Sequence, residues 1–186
     1  MKILAVVGSP RPNGNTSYLT DEALGVAKRM GAQTEKILIS ERKLSPCYGH
    51  EECSSYDTCV QKDDGSEILQ KLTEADGLIF ATPVYYYDVS AWMKIFIDRL
   101  YFLYTHDIKC KAKAAGLIVV AGGDGIDHAK ETLQNVLGAS SIDIPNERLF
   151  VLTGLAGASS DARSNQQLIS GARRMGRELA VSLGVK

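Results

Sequence analysis

No stretch of this chain approaches the roughly 18 consecutive apolar residues that a membrane-spanning helix needs, so a bilayer span is not expected. An excess of charge of either sign is also lacking. Lys and Arg total 21 against 22 Asp and Glu, a net charge of -1, which gives no basic footprint for nucleic acid or anionic lipid. The start, MKILAVVGSP, carries one lysine and an apolar run that ends in a glycine turn. It lacks the length and cleavage pattern of a signal peptide, and the expected compartment is the cytoplasm. Thiols stay reduced there, so the four cysteines read as metal-binding or redox-active rather than as disulfide staples. Internal repeats and low-complexity tracts are missing too. At 186 residues and 45% hydrophobic, the chain is expected to be a single domain over 1–186 with a substantial core.

The apolar runs that are present recur in a fixed order. Strands are predicted at Ile3 to Val7, Ile37 to Ile39, Gly77 to Ala81, Ala115 to Val120 and Leu149 to Leu152. Between and after them the 3.6-residue spacing of apolar positions predicts helices at Thr16 to Met30, Ser66 to Glu74, Ala91 to Tyr104, Asp127 to Leu137 and Asp161 to Leu183. Strands alternating with helices imply an α/β fold, a parallel sheet covered on both faces. Five strands are too few for an eight-fold barrel. In an open sheet, ligands bind beyond the carboxyl ends of the strands where strand order reverses. Attention therefore falls on the loops leaving Val7, Ala81 and Val120.

The first of these, GSPRPNGNTSYL, offers Ser9, Asn15, Thr16 and Ser17 as donors and Arg11 as a charge, all at the start of a helix. A phosphate fits such a place; an ordinary helix cap by Asn15 or Thr16 fits it as well. The two familiar nucleotide motifs are missing. No lysine precedes Thr16 as a P-loop requires, and only Gly8 and Gly14 are present of the three glycines of a dinucleotide fingerprint. A smaller phosphorylated ligand is indicated. After the third strand comes ATPVYYYDVSAWMKIFIDRL, whose three tyrosines would wall a flat aromatic ligand or pack at a subunit contact. After the fourth comes VVAGGDGIDHAK, where Gly122 and Gly123 let backbone approach a ligand closely.

These segments resemble the NAD(P)H-dependent FMN reductases of the flavodoxin-like superfamily. The stretch SPCYGHEECSSYDTCVQKDD looks like that of the family's iron-sulfur flavoprotein branch. The resemblance implies a three-layer sandwich with a five-stranded parallel sheet in order 2-1-3-4-5 and FMN at the switch point. Carried over by position, Ser9, Arg11, Asn15, Thr16 and Ser17 would hold the FMN phosphate. Pro83, Val84, Tyr85, Tyr86 and Tyr87 would lie along the isoalloxazine, with Gly122 and Gly123 completing the site. The implied activity is oxidation of NADPH or NADH, with electrons passed to a quinone, a flavin or a redox protein. An electron-transfer flavoprotein without nicotinamide turnover is the alternative. The family also implies a homodimer or homotetramer, with no nucleic acid or membrane partner. Asp88 stands where that family usually has a small residue.

The thirteen residues CYGHEECSSYDTC, within a loop of about 40–63, hold Cys47, His50, Cys53 and Cys59. The branch it resembles has cysteine where this chain has His50. Three thiolates and an imidazole suit a [4Fe-4S] cluster with one unusual ligand, or tetrahedral zinc. An unoccupied loop is the third reading. Cys110 reads as an isolated thiol.

Overall fold

The computed structural model describes residues 1–158 and 160–185. Its sheet is built from β1 (Lys2–Val7), β2 (Gln33–Leu38), β3 (Gly77–Tyr85), β4 (Asp88–Val89), β5 (Ala114–Ala121) and β6 (Leu149–Leu155). The helices are α1 (Asn15–Arg29), α2 (Gly65–Glu74), α3 (Ala91–Arg99), α4 (Tyr101–Thr105), α5 (Ile126–Leu137) and α6 (Gln166–Ser182). Strand order is β2-β1-β3-β5-β6, all parallel, with the short β4 antiparallel to β3. This is the expected α/β sheet, with β4 as an addition. Among the described residues no helix is long and apolar enough to cross a membrane.

Alternation along the strands explains the layers. Leu4 and Val6 of β1 join one apolar cluster, while Ile3, Ala5 and Val7 join the other. Period-two side chains on a strand buried from both sides must feed two cores. One core takes Leu19, Ala23 and Ala27 of α1 and Leu168, Ala172, Met175 and Leu179 of α6. The opposite core takes Ile68 and Leu72 of α2, Met93 and Phe96 of α3, and Leu133 and Leu137 of α5. Phe80 of β3 and Phe96 meet edge to face, with ring centroids 5.4 Å apart, a favoured aromatic geometry.

β2 starts at Gln33, four residues before the periodicity shows it, and β6 runs on to Leu155; three further boundaries differ for a local reason. β3 runs past Ala81 because it stays paired with β5 as far as Pro83 and with β4 at Val84 and Tyr85, while β1 ends opposite Ala81. The N–H that proline lacks is therefore not missed on that side. The helix predicted over 91–104 is divided at Leu100, whose N–H reaches the carbonyl of Ile97, three residues back, at 3.0 Å. The last helix starts at Gln166. Asn165 Oδ1 accepts from the N–H groups of Gln167 and Leu168, both at 3.1 Å, a strong N-cap that a run of helical periodicity conceals.

Candidate functional site

Four loops meet at the carboxyl ends of β1, β3, β5 and β6. They enclose a cleft lined by Ser9, Arg11, Gly14, Asn15 and Thr16 on one side, and by Pro83, Val84, Tyr85, Val120, Gly122, Ala156 and Gly157 on the other. The strand order reverses here, since β1 lies between β2 and β3. A larger cleft of about 680 Å³ lies at the opposite end of the sheet, lined by Lys109, Cys110, Lys113, Ser141, Asp143 and Arg148 among others. That is the amino-end side of β5 and β6, away from the position where such sheets bind ligands.

The first half of the cleft has the chemistry an anion seat requires. α1 begins at Asn15 with Gly14 as its N-cap; no side chain caps it, and its first turn contains no acid. Its leading N–H groups consequently lack a side-chain acceptor, and the positive end of its dipole is uncompensated. Thr16 is 2% exposed and lines the cleft. Ser9 Oγ accepts from the Arg11 N–H at 3.2 Å, which folds the loop back on itself and places Arg11 at the cleft.

Asn15 does something else. Its Nδ2 donates to the carbonyls of Ala156 at 3.1 Å and Ala158 at 2.7 Å, and its Oδ1 accepts from the Ala162 N–H at 3.0 Å. The side chain is used up in tying the start of α1 to the loop after β6. It positions that loop. Ser17 is fully buried and accepts from Lys36 Nζ at 3.0 Å; it lies outside the cleft lining.

The second half is built by β3 and its short return strand. Tyr85 pairs with Asp88, so Tyr86 and Tyr87 alone make the connection. Tyr85 lines the cleft, whereas Tyr86 and Tyr87 stand outside its lining, 96% and 58% exposed. Ser90 binds the neighbouring loops together. Its hydroxyl caps α3 by accepting from the Met93 N–H at 3.1 Å and donates to the carbonyl of Gly8. Gly122 lines the cleft, while Gly123 is open to solvent. Ala156 and Gly157 are contributions the motifs did not flag. The small residues Ala156 to Ala158 after the last strand form a fourth strand-end loop and carry the same kind of signal as the other three.

The cysteine loop is organised from α3 and α4. Arg99, 2% exposed, reaches Asp63 with both terminal nitrogens, Nη1 to Oδ2 at 2.7 Å and Nη2 to Oδ1 at 3.0 Å. It also donates to the carbonyl of Ser45 at 3.1 Å and to Cys59 Sγ at 3.3 Å. Burial alone would push the Asp63 carboxyl up. The Arg99 guanidinium and the N–H groups of Ser45 and Gly65 outweigh burial and hold it below the usual carboxylate range. Thr105 Oγ1 lies 3.6 Å from Cys53 Sγ, and the Gly49 N–H lies 3.4 Å from Cys47 Sγ. His50 packs edge-on against Tyr56 with ring centroids 5.6 Å apart. Each sulfur thus has its own separate donor, and among the described residues no three His, Cys, Asp or Glu side chains converge as a ligand set. All four cysteines are free thiols. Cys110 is buried at the far cleft, which raises its thiol to about 11.

The chain is similar to several known proteins. The chain is 42% identical over 125 residues to an iron-sulfur flavoprotein of Archaeoglobus fulgidus, covering 67% of this chain and 56% of that protein. It therefore spans little more than half the length of that relative. It is 32% identical over 186 residues to an iron-sulfur flavoprotein of Methanocaldococcus jannaschii, covering 97% of this chain and 96% of that one. Among solved structures, RosB with a bound flavin-type intermediate, 8-demethyl-8-formylriboflavin-5'-phosphate, superposes with a TM-score of 0.78 at 20% identity. That match covers 99% of this chain and 79% of RosB and speaks to the fold. The model of NADPH-dependent FMN reductases matches residues 1–156, a span that takes in every strand and the first three loops of the cleft and ends at Ala156, where the fourth begins. With that match over most of its length, the chain belongs to the NADPH-dependent FMN reductase family.

Proposed function

We propose that this protein binds FMN in the four-loop cleft, oxidises NADPH or NADH, and passes the electrons to a second acceptor. The observation that carries this reading is the uncapped start of α1, with Thr16 buried beside it and Arg11 at the rim, facing Pro83, Val84 and Tyr85 across the cleft. FMN has the matching two ends, a phosphate and a flat ring, and when bound it supplies the hydride and electron chemistry. Ser9, Arg11, Thr16 and the backbone N–H groups of residues 15–17 would hold the phosphate. Pro83, Val84, Tyr85 and Gly122 would lie along the ring. Asn15 and Ser90 keep the loops at their spacing. No side chain is assigned as an acid or base, since among the described residues none in the cleft lining is a carboxylate, histidine or lysine. A cytoplasmic location and a homo-oligomeric assembly belong to the same proposal.

The relatives' names imply an iron-sulfur cluster as well. The donor types of this chain suit iron, but their arrangement does not fit a cluster. Cys47, Cys53 and Cys59 each serve a different hydrogen-bond donor, and His50 faces Tyr56. No electron path is therefore drawn through the loop, which we read as a structural flap fastened by Arg99. Protein purified anaerobically is expected to carry far less than one iron and one acid-labile sulfide per chain, with His50→Cys leaving both low. Four of each in the wild type would contradict the flap reading.

The test of the function is rapid mixing of the FMN-loaded protein with NADPH under anaerobic conditions. Bleaching of the flavin absorbance within seconds is expected. A protein that holds FMN yet is not reduced by either nicotinamide would be an electron carrier instead.

A further inference from the structure

Tyr86 and Tyr87 have φ of 49° and 72°. In the tight two-residue connection between Tyr85 and Asp88, both central residues take the left-handed conformation of a type I′ hairpin, a place for Asn-Gly. A bulky side chain there is strained. The strain is held from two sides. Thr132 Oγ1 of α5 donates to Asp88 Oδ1 at 3.0 Å. Gly125, at φ 91°, lies so close that a Cβ on it would sit 2.6 Å from the Cα of Tyr87. Backbone strain kept by such bracing usually serves a site. The two rings are worth nothing to the core, being 96% and 58% exposed, and they touch each other edge to face with centroids 6.0 Å apart.

The hairpin continues directly from Tyr85, which lines the ring end of the cleft. Two carboxylates stand on this rim. Asp88 is exposed on the hairpin and Asp124 is exposed on the loop that braces it, while Arg11, the one cation of the cleft lining among the described residues, is at the phosphate end. We propose that Tyr86 and Tyr87 are specificity-determining residues: a preformed aromatic platform beside the flavin that takes planar, uncharged electron acceptors, with Asp88 and Asp124 disfavouring anionic ones. This rests on the FMN reading above. The overall exchange is balanced by the nicotinamide: a quinone probe gains a hydride equivalent from NAD(P)H and one proton from solvent, giving hydroquinone and NAD(P)⁺.

The decisive variant is the double substitution Tyr86→Asn with Tyr87→Gly, which removes both rings and installs the sequence the turn prefers. Its melting temperature is expected to rise by roughly 2 °C or more, so a loss of function cannot be laid to a collapsed hairpin. The KM for menadione is expected to rise about tenfold, the size of one or two aromatic contacts, while turnover with ferricyanide, which needs no stacking, sets the baseline. Asp88→Asn is expected to narrow the preference for menadione over a naphthoquinone sulfonate by about threefold. Equilibrium dialysis of menadione against each variant, with FMN content measured on the same samples, separates the two layers of the argument. Wild type without flavin defeats the FMN reading, whereas wild type with flavin and an unchanged menadione KM in the double variant overturns the platform. Sedimentation showing a wild-type dimer that the double variant dissolves, with menadione binding unaltered, overturns it too and assigns the rings to a second copy of the chain.

Discussion

Replacing Arg99 by Ala is expected to lower the melting temperature by roughly 10 °C, the largest stability effect of any single substitution considered. The guanidinium is 2% exposed and its partner carboxylate 9%, so the substitution leaves Asp63 buried without its counter-charge. Breaking such a pair costs about 3–5 kcal/mol, a large fraction of the ~5–15 kcal/mol that holds a domain together. Each kcal/mol shifts the midpoint by about 2–4 °C in a chain of this length. The same change releases the carbonyl of Ser45 and Cys59 Sγ, so the cysteine loop should loosen first. Iodoacetamide should then label Cys47 and Cys59 faster than in the wild type. Arg99→Lys keeps the charge but cannot form the two-pronged contact and should recover only part of the stability.

The pair also sets an acid limit. Asp63 is held below its ordinary value in the folded protein, near 3.9 when unfolded. A carboxylate depressed by folding contributes its full stability above the unfolded value and loses it as pH falls through the folded one. Wild-type stability should therefore drop on acidification below about pH 4, and Asp63→Asn should flatten that part of the profile. A profile of unchanged slope would show that other carboxylates dominate acid unfolding.

Asn15→Asp is expected to weaken FMN binding by about 100-fold with little change in volume. The carboxamide donates two hydrogen bonds to Ala156 and Ala158, which a carboxylate cannot replace. Each buried acceptor left facing it costs about 1–3 kcal/mol. A negative charge at the start of α1 gains about 0.3–1 kcal/mol from the helix dipole, too little to offset the loss, and it occupies the field meant for the phosphate. Two orders of magnitude in Kd correspond to about 2.8 kcal/mol. Fluorescence titration of FMN measures this directly, and riboflavin, which lacks the phosphate, should bind wild type and variant more nearly alike. Equal loss for both ligands would assign Asn15 to general folding instead.

The parts of this structure that could be read from the chain are those decided locally. Ile3 to Val7, Ala115 to Val120 and the 3.6-residue spacing of Leu19, Ala23 and Ala27 depend on burial of neighbouring positions, and burial writes itself into periodicity. The anion seat was visible because Gly, Ser, Asn and Thr gather at one strand-to-helix turn. What escaped depends on contacts distant in sequence. Arg99 sits in IFIDRL like any helical arginine, and only Asp63, 36 residues away, makes it a buried anchor. Asn15 looks like a cap until its partners 141 and 143 residues on are known. The hairpin at Tyr86 and Tyr87 broke the usual turn signal, since neither residue is Gly or Asn. Local rules fail at such strained places, and those places tend to be functional.

The spectrum of the purified protein titrated with FMN tests the central claim most directly. One FMN per chain is predicted, with its fluorescence quenched on binding and its absorbance bleached by NADPH in the absence of air. A protein that leaves FMN fluorescence unchanged at saturating concentration would contradict the assignment of the four-loop cleft.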